Sequence, residues 1–112
     1  MLVGANGSGK TVYIKQVAII TIMAQIGCFV PAKQAVVPIR DRLLSRIGNK
    51  DDLEHNLSTF HAEMRDASYI LNNLTPASLV IVDELGRGTS NVDGISLAFA
   101  MCEAMLDSKA YV

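Results

Sequence analysis

The sequence has little excess charge, few cysteines and no long uninterrupted apolar run. Its 112 residues carry a formal net charge of −1, so composition gives no basic footprint for nucleic acid, and any DNA contact would come from a local patch or from elsewhere. The two cysteines, Cys28 and Cys102, lie far apart in apolar stretches. We predict that both are small buried hydrophobic residues in a reducing compartment, rather than a disulfide or a metal site.

The N-terminus lacks a charged lead followed by a long apolar core, so we expect no signal peptide. The most apolar stretch, VAIITIMAQIGCFV, follows Lys15 and Gln16 and is interrupted by Gln25. Because it falls short of about 18 uninterrupted apolar residues, we predict a buried helix and not a membrane span. Half of the residues are apolar and 19% are charged, which indicates a soluble, folded protein of one domain or part of one.

A glycine-rich stretch, GANGSGKT, occupies residues 4–11 and matches the phosphate-binding pattern G-x-x-x-x-G-K-[ST]. Glycine lets the backbone approach phosphates without a Cβ in the way, and the following helix directs its N–H groups at the anion. Lys10 would contact the β- and γ-phosphates, and the Thr11 hydroxyl would contact Mg²⁺. The predicted nucleotide-binding residues are Gly4, Ala5, Asn6, Gly7, Ser8, Gly9, Lys10 and Thr11.

The motif requires a strand before it and a helix after it. KTVYIKQVAIITIMAQIG has helical apolar spacing and ends at Gly27, a suitable residue just past a helix C-terminus. Only residues 1–3 precede the motif, so we expect the preceding strand to be cut short.

The middle of the chain predicts short strands and one amphipathic helix. Residues 29–48 contain β-branched runs broken by Pro31 and Pro38, and residues 49–56 form a polar loop. Residues 58–74 have a 3.6-residue apolar period, with Ser58 or Thr59 as the N-cap. The apolar positions of this helix are Phe60, Met64, Ala67, Ile70, Leu71 and Leu74.

After a turn at residues 72–76, the run SLVIV is typical of a strand inside a parallel sheet, and it is followed directly by Asp83 and Glu84. An apolar strand that ends in Asp-Glu and lies beside a glycine-rich loop is a Walker B arrangement. In it, Asp83 would hold the Mg²⁺ that Thr11 contacts. Glu84 would orient or deprotonate the attacking water, and it is the predicted catalytic residue. A helix over residues 91–108 and the start of a strand at KAYV complete an α/β pattern.

At GANGSGKTVYIKQ, MAQIGCFVPA, STFHAEM and DELGRGTSNVDG the chain resembles the ATPase domain of the MutS family of DNA mismatch-recognition proteins, over nearly its whole length. The resemblance implies a P-loop NTPase of the ABC-ATPase type, with a parallel-rich sheet flanked by helices and incomplete at both ends. Residues 1–112 would be a fragment of that domain, from Walker A through Walker B to the following helix. ATP and Mg²⁺ are the implied cofactors.

The resemblance also implies a dimer in which each subunit completes the other's site. A signature segment (Ser58, Thr59 and Phe60) would contact the partner's ATP. An interface loop would lie at the same place and comprises Gly86, Arg87, Gly88, Thr89, Ser90 and Asp93. DNA would be bound by lever, clamp and mismatch-reading domains upstream, and a switch histidine would follow Val112.

The chain departs from the repair members of that family. Ala5, Gly7 and Ser8 replace their usual Pro, Met and Gly, and His61, to which we assign no catalysis, replaces a Met. DDLEHNLSTF and SYILNN are more similar to the meiotic MutS homologue 4 branch, which promotes crossing over. This branch implies a nuclear, chromosomal protein that pairs with another MutS homologue and does not contact membranes.

Two alternatives remain open at this point. Another ABC-type ATPase, such as a transporter subunit or a chromosome-organising protein, would carry an LSGGQ-like signature where STFHAEM stands. The other alternative is a truncated, catalytically inactive module that only binds a partner.

Overall fold

The computed structural model describes residues 1–48, 56–86 and 88–112, and for residues 56–59 the backbone alone. Its elements are α1 (Lys10–Gln25), β1 (Leu43–Ile47), α2 (Asn56–Asn73), β2 (Leu79–Asp83) and α3 (Asn91–Asp107). This order confirms the predicted α/β class. The polar loop predicted at residues 49–56 lies, except for its last residue, outside the described residues.

The two strands form a parallel pair, as the continuous apolar run of β2 predicted. The register joins Leu43 to Leu79 at one end and Ile47 to Asp83 at the other. The start of a third strand lies along the opposite edge of β2: Val80 N–H donates to the Tyr111 carbonyl at 2.7 Å, whereas Leu79 N–H donates to Arg42 on the β1 side. β2 therefore lies between β1 and the start of the strand expected at KAYV.

The core lies where α2 and α3 pack around these strands. Its buried members are Leu44, Ala67, Ile70, Val80, Met101 and Met105. Ala67 and Ile70 belong to the apolar stripe predicted for α2, and Leu71 and Leu74 pack against the same cluster. Burial of this stripe stabilises α2 against the strands, because apolar surface removed from water contributes roughly 25 cal/mol per Å².

Hydrogen bonds tie the turn before β2 to the segment before β1. Thr75 and Ser78 donate to the two carboxylate oxygens of Asp41 at 2.6 and 3.3 Å. The hydrogen bond from Thr75 is the main reason that the pKa of the Asp41 carboxyl lies below its usual value. The two strands thus enter the sheet from one hydrogen-bonded turn.

The prediction that α1 is buried is wrong. Thr21 is its one buried residue, and Val12 and Ile19 are 71% and 54% exposed. Two five-residue strands offer too little surface to cover a sixteen-residue helix on all of its apolar positions. Among the described residues, no helix is long and apolar enough to cross a membrane.

Two further predictions are corrected. Cys28 and Cys102 are free thiols, as expected, but both are exposed rather than buried. Cys28 follows the end of α1, and Cys102 lies on a part of α3 that no described element covers. α2 begins at Asn56, so Ser58 and Thr59 lie within its first turn and neither is the N-cap.

Candidate functional site

The two predicted motifs, the glycine-rich loop of residues 4–11 and the acidic strand end at Asp83, contact each other in the structure. The Thr11 hydroxyl, in the first turn of α1, donates a hydrogen bond of 2.5 Å to Oδ2 of Asp83, the last residue of β2. Asp83 is 9% exposed. The structure therefore brings together the hydroxyl and the carboxylate that the sequence assigned to one metal ion.

The glycine-rich loop lies exposed in front of α1, with residues 4–9 all exposed. Gly7 and Gly9 have φ of 80° and 89°, and a Cβ on either would meet nothing within 4 Å. Gly9 is the N-cap of α1 and supplies no side-chain hydrogen bond, so the first N–H groups of the helix have no side-chain cap. An open loop at an uncapped helix N-terminus is a favourable environment for an anion.

Lys10 lies back over this loop. Its ammonium donates to the Gly4 and Ala5 carbonyls at 2.6 and 2.8 Å. Ser8 N–H also donates to the Ala5 carbonyl, at 3.2 Å, and this closes the turn. The positive charge of Lys10 is thus held at the mouth of the loop, within reach of an anion that would replace the two carbonyls.

The donor set at Thr11 and Asp83 suits a hard cation. Mg²⁺ prefers oxygen ligands and usually takes one or two from the protein, with water and phosphate oxygens completing its octahedron. In the part of the chain that the structure describes, no group of three acidic, histidine or cysteine side chains forms a complete metal cage. One hydroxyl and one carboxylate therefore fit an ion that a nucleotide would share, and not a stand-alone structural metal.

Glu84 follows Asp83 directly and is exposed, in contrast to its buried neighbour. Its φ is 54°, in the left-handed region that non-glycine residues rarely adopt. Such a conformation costs of order 1–3 kcal/mol and persists where the surrounding structure imposes it, often at functional sites. Glu84 thus lies one residue beyond the carboxylate that Thr11 contacts, and its catalytic role stays a prediction.

The signature segment, residues 58–60, lies in the first two turns of α2. Phe60 is half-buried, and its backbone abuts Gly88: a Cβ on Gly88 would lie 2.8 Å from the Phe60 nitrogen. The signature segment and the interface loop, predicted to act at one dimer interface, are therefore in contact within this chain.

Within the interface loop, two polar residues have a local structural role. Ser90 is the N-cap of α3: its hydroxyl donates to the Asp93 carboxylate at 2.7 Å and accepts from Asp93 N–H at 3.3 Å. Thr89 is half-buried, and Arg87 lies outside the described residues. The predicted interface role of this loop stays a prediction.

Sequence reasoning missed Glu63. Its side chain is 1% exposed, and its carboxylate accepts hydrogen bonds from Gly86 N–H at 2.6 Å and Gly88 N–H at 3.4 Å. Arg46 of β1 forms an ion pair with it at 3.6 Å. The available signal was a carboxylate on the apolar face of α2, three residues after Phe60 and four before Ala67, where only a partnered charge is stable.

The fold and the site together define the class of protein: it is an α/β domain in which a glycine-rich loop meets the acidic end of a strand. The chain matches the family model for MutS domain V over residues 1–112, and it belongs to the MutS family. It is 48% identical to the DNA mismatch repair protein MSH4 of Arabidopsis thaliana over 99% of its length. It is 51% identical to the DNA mismatch repair protein MutS of Caldicellulosiruptor saccharolyticus over 96%, and 54% identical to that of Clostridioides difficile over 92%.

These comparisons confirm the family that the motifs indicated. The chain spans 14% of the plant relative and 12% of the Caldicellulosiruptor one. Similarity of this extent concerns one domain of those proteins.

Proposed function

We propose that this segment binds and hydrolyses ATP as the P-loop ATPase domain, of ABC type, of a MutS-family DNA-binding protein. The observation that carries the proposal is the hydrogen bond between Thr11 and Asp83, which are 72 residues apart. It joins the end of the glycine-rich loop to the end of β2, the juxtaposition that a Mg²⁺–nucleotide site needs. Membership of the MutS family argues against a transporter or chromosome-organising ATPase.

Each residue of the site then has a distinct chemical task. The first N–H groups of α1 and the Lys10 ammonium bind phosphate oxygens, the lysine exchanging its two loop carbonyls for them. Thr11 and Asp83 would hold Mg²⁺, which would neutralise phosphate charge. Glu84 accepts a proton from the attacking water or orients it, and an exposed carboxylate at a strand end is accessible to that water.

The signature segment supports a dimeric arrangement. Ser58 lies in the first turn of α2, where the positive end of the helix dipole favours an anion, and this makes a second candidate anion site in a chain that already has one at α1. We propose that this second site serves the nucleotide of a partner subunit, another MutS homologue. ATP would drive closure of a dimeric clamp on DNA, with the DNA bound by domains outside this segment.

The finer assignment is to the meiotic branch. Glu54 and Asn56 support this assignment, although Glu54 lies outside the described residues. The plant relative named MSH4 also supports it. The bacterial relatives named MutS have similar identities, so overall similarity does not separate the two roles. The nuclear, chromosomal location is part of this meiotic proposal alone.

The test is nucleotide binding and turnover by the full-length protein, meaning the gene product that carries this segment. We expect Mg²⁺-dependent ATP binding and phosphate release. A protein that folds and binds its partner but takes up no nucleotide would instead be a non-catalytic interaction module.

A further inference from the structure

Glu63 occupies a position that the proposed catalytic mechanism does not explain. It is buried to 1% exposure and lies on α2, one turn beyond Phe60 of the signature segment. Its carboxylate accepts hydrogen bonds from the backbone of the loop that follows Glu84. It therefore connects α2 to the loop that follows Glu84.

The connection consists of two hydrogen bonds and an ion pair around a buried carboxylate. Burying a carboxylate is unfavourable unless each oxygen has a partner, and here the partners are two backbone N–H groups and the Arg46 guanidinium. A hydrogen bond to an ionised acceptor is about twice as strong as a neutral one. The loop at Gly86 and Gly88 is consequently held to α2 rather than to solvent.

The same loop is also wedged sterically. Gly88 packs so closely against the Phe60 backbone that no side chain would fit between them, so a shift of α2 at this turn changes the contact with Gly88. Gly86 is two residues from Glu84, whose backbone is in the left-handed region. A displacement of the signature segment thus reaches Glu84 through Glu63 and the two glycines.

We propose that Glu63 is a positioning residue that couples the signature segment, and with it the partner's nucleotide, to Glu84 of its own site. The proposal rests on the proposed function, since it assumes that Glu84 assists ATP hydrolysis and that residues 58–60 contact the partner's ATP. Occupancy of the signature segment by phosphate fixes α2, and Glu63 then holds Gly86 and Gly88 so that Glu84 is positioned to act on the water. The effect is on turnover and not on nucleotide binding, because Lys10 and the loop of residues 4–9 are not part of this connection.

The test compares Glu63→Gln with the unmodified full-length dimer, measuring nucleotide affinity and single-turnover hydrolysis at this subunit's site. Gln has the shape of Glu, but one of its two terminal atoms is an NH₂ group. This donor would face the N–H of Gly86 or Gly88, so one of the two hydrogen bonds is lost. We expect turnover to fall by about 10- to 100-fold with unchanged affinity, since a misplacement of about 1 Å can cost on the order of 100-fold.

Two control variants accompany this test. Glu103→Gln removes an exposed carboxylate of α3 and is the matched control for charge. Ile70→Val removes a methylene from the core, two turns after Glu63 on α2, and is the control for lost stability. Both should keep the parent turnover.

Glu63→Asp covers the case in which Glu63→Gln does not fold. It keeps the charge but is one methylene shorter, so it cannot reach Arg46 and Gly86 together, and we expect the same loss of turnover. Parent turnover in either folded variant overturns the inference, as does a loss that Ile70→Val reproduces.

A second measurement needs no variant. Hydrogen exchange over residues 84–90 of the unmodified dimer should slow when ATP fills the partner's site, and equal exchange with and without that ATP overturns the inference. The two proposals fail differently. An unmodified protein that hydrolyses no ATP refutes the proposed function, whereas a protein that hydrolyses ATP equally well with and without Glu63 refutes only the positioning role.

Discussion

The backbones of Gly86 and Gly94 lie in close contact where the loop after β2 crosses the start of α3. A Cβ on Gly86 would lie 2.7 Å from the Gly94 carbonyl oxygen, and a Cβ on Gly94 would overlap the Gly86 carbonyl. Gly86 also has φ of 82°. Two side-chain-free residues therefore allow the loop and the helix to meet at this distance.

Gly86→Ala should destabilise the fold more than Gly27→Ala. Both residues have left-handed backbones, which cost an alanine roughly 1–2 kcal/mol. Gly27 has nothing within 4 Å of a Cβ, whereas Gly86 meets backbone, so overpacking adds about 1–3 kcal/mol at Gly86 alone. Denaturant midpoints of the two variants measure this difference, and equal midpoints would contradict the close packing.

Thr11→Ala should raise the Mg²⁺ concentration needed for half-maximal hydrolysis by about 10-fold or more, because a contact to a charged group is worth roughly 1.5–3 kcal/mol. Thr11→Ser retains the hydroxyl that reaches Asp83 and should behave as the parent. A Mg²⁺ titration of hydrolysis compares the three proteins. If the alanine and serine variants respond alike, the Thr11 hydroxyl has no part in the metal site.

Lys10→Ala should weaken ATP binding by roughly 10- to 100-fold, the equivalent of about 1.5–3 kcal/mol for hydrogen bonds to a charged group. Lys15→Ala removes the same charge from an exposed position one turn further along α1 and is the matched control. Equilibrium binding of a fluorescent ATP analogue measures both. Equal affinities for the two variants would remove Lys10 from the site.

Glu84→Gln should bind ATP normally and hydrolyse it about 10²–10⁴ times more slowly, as expected on loss of a general base. The exposed Glu103→Gln change on α3 should leave turnover unaltered. Single-turnover hydrolysis separates the chemical step from binding. Parent-rate hydrolysis by the Glu84 variant would mean that another group activates the water.

Ser58→Arg should leave this subunit's ATP binding intact and slow hydrolysis at the partner's site by roughly 100-fold, the size of effect seen when one preorganised donor is lost. Ser68→Arg makes the same change at an exposed position of α2, further from its N-terminus, and should be silent. Because α2 begins at Asn56, loss of an N-cap is not expected to contribute. Each site is assayed with the other disabled by its own lysine variant, and unaltered partner turnover would exclude the shared site.

Local sequence was sufficient to predict the helices and β2, whereas the short strands expected over residues 29–48 are reduced to one, β1. The helical period of α2, the apolar run of β2 and the loop GANGSGKT are patterns within a few residues, so they predict a helix, a parallel strand and an anion site directly. The pairing of Thr11 with Asp83 was also predictable, because the two motifs have complementary chemistry. Boundaries were less certain: α2 starts two residues before the expected N-cap, since the first turn of a helix is set by backbone hydrogen bonds and not by one side chain.

Contacts between distant segments were decided by the tertiary structure. Nothing near Glu63 in sequence shows that Gly86, Gly88 and Arg46 will surround its carboxylate, because those partners lie on two other elements. The exposure of Cys28 and Cys102 likewise depends on which surfaces the two strands can cover, and not on the apolar residues beside each cysteine. The sequence by itself determined the elements and the chemical groups of this domain, whereas packing determined which groups are buried, paired and held in place, because burial and pairing depend on neighbours that are distant along the chain.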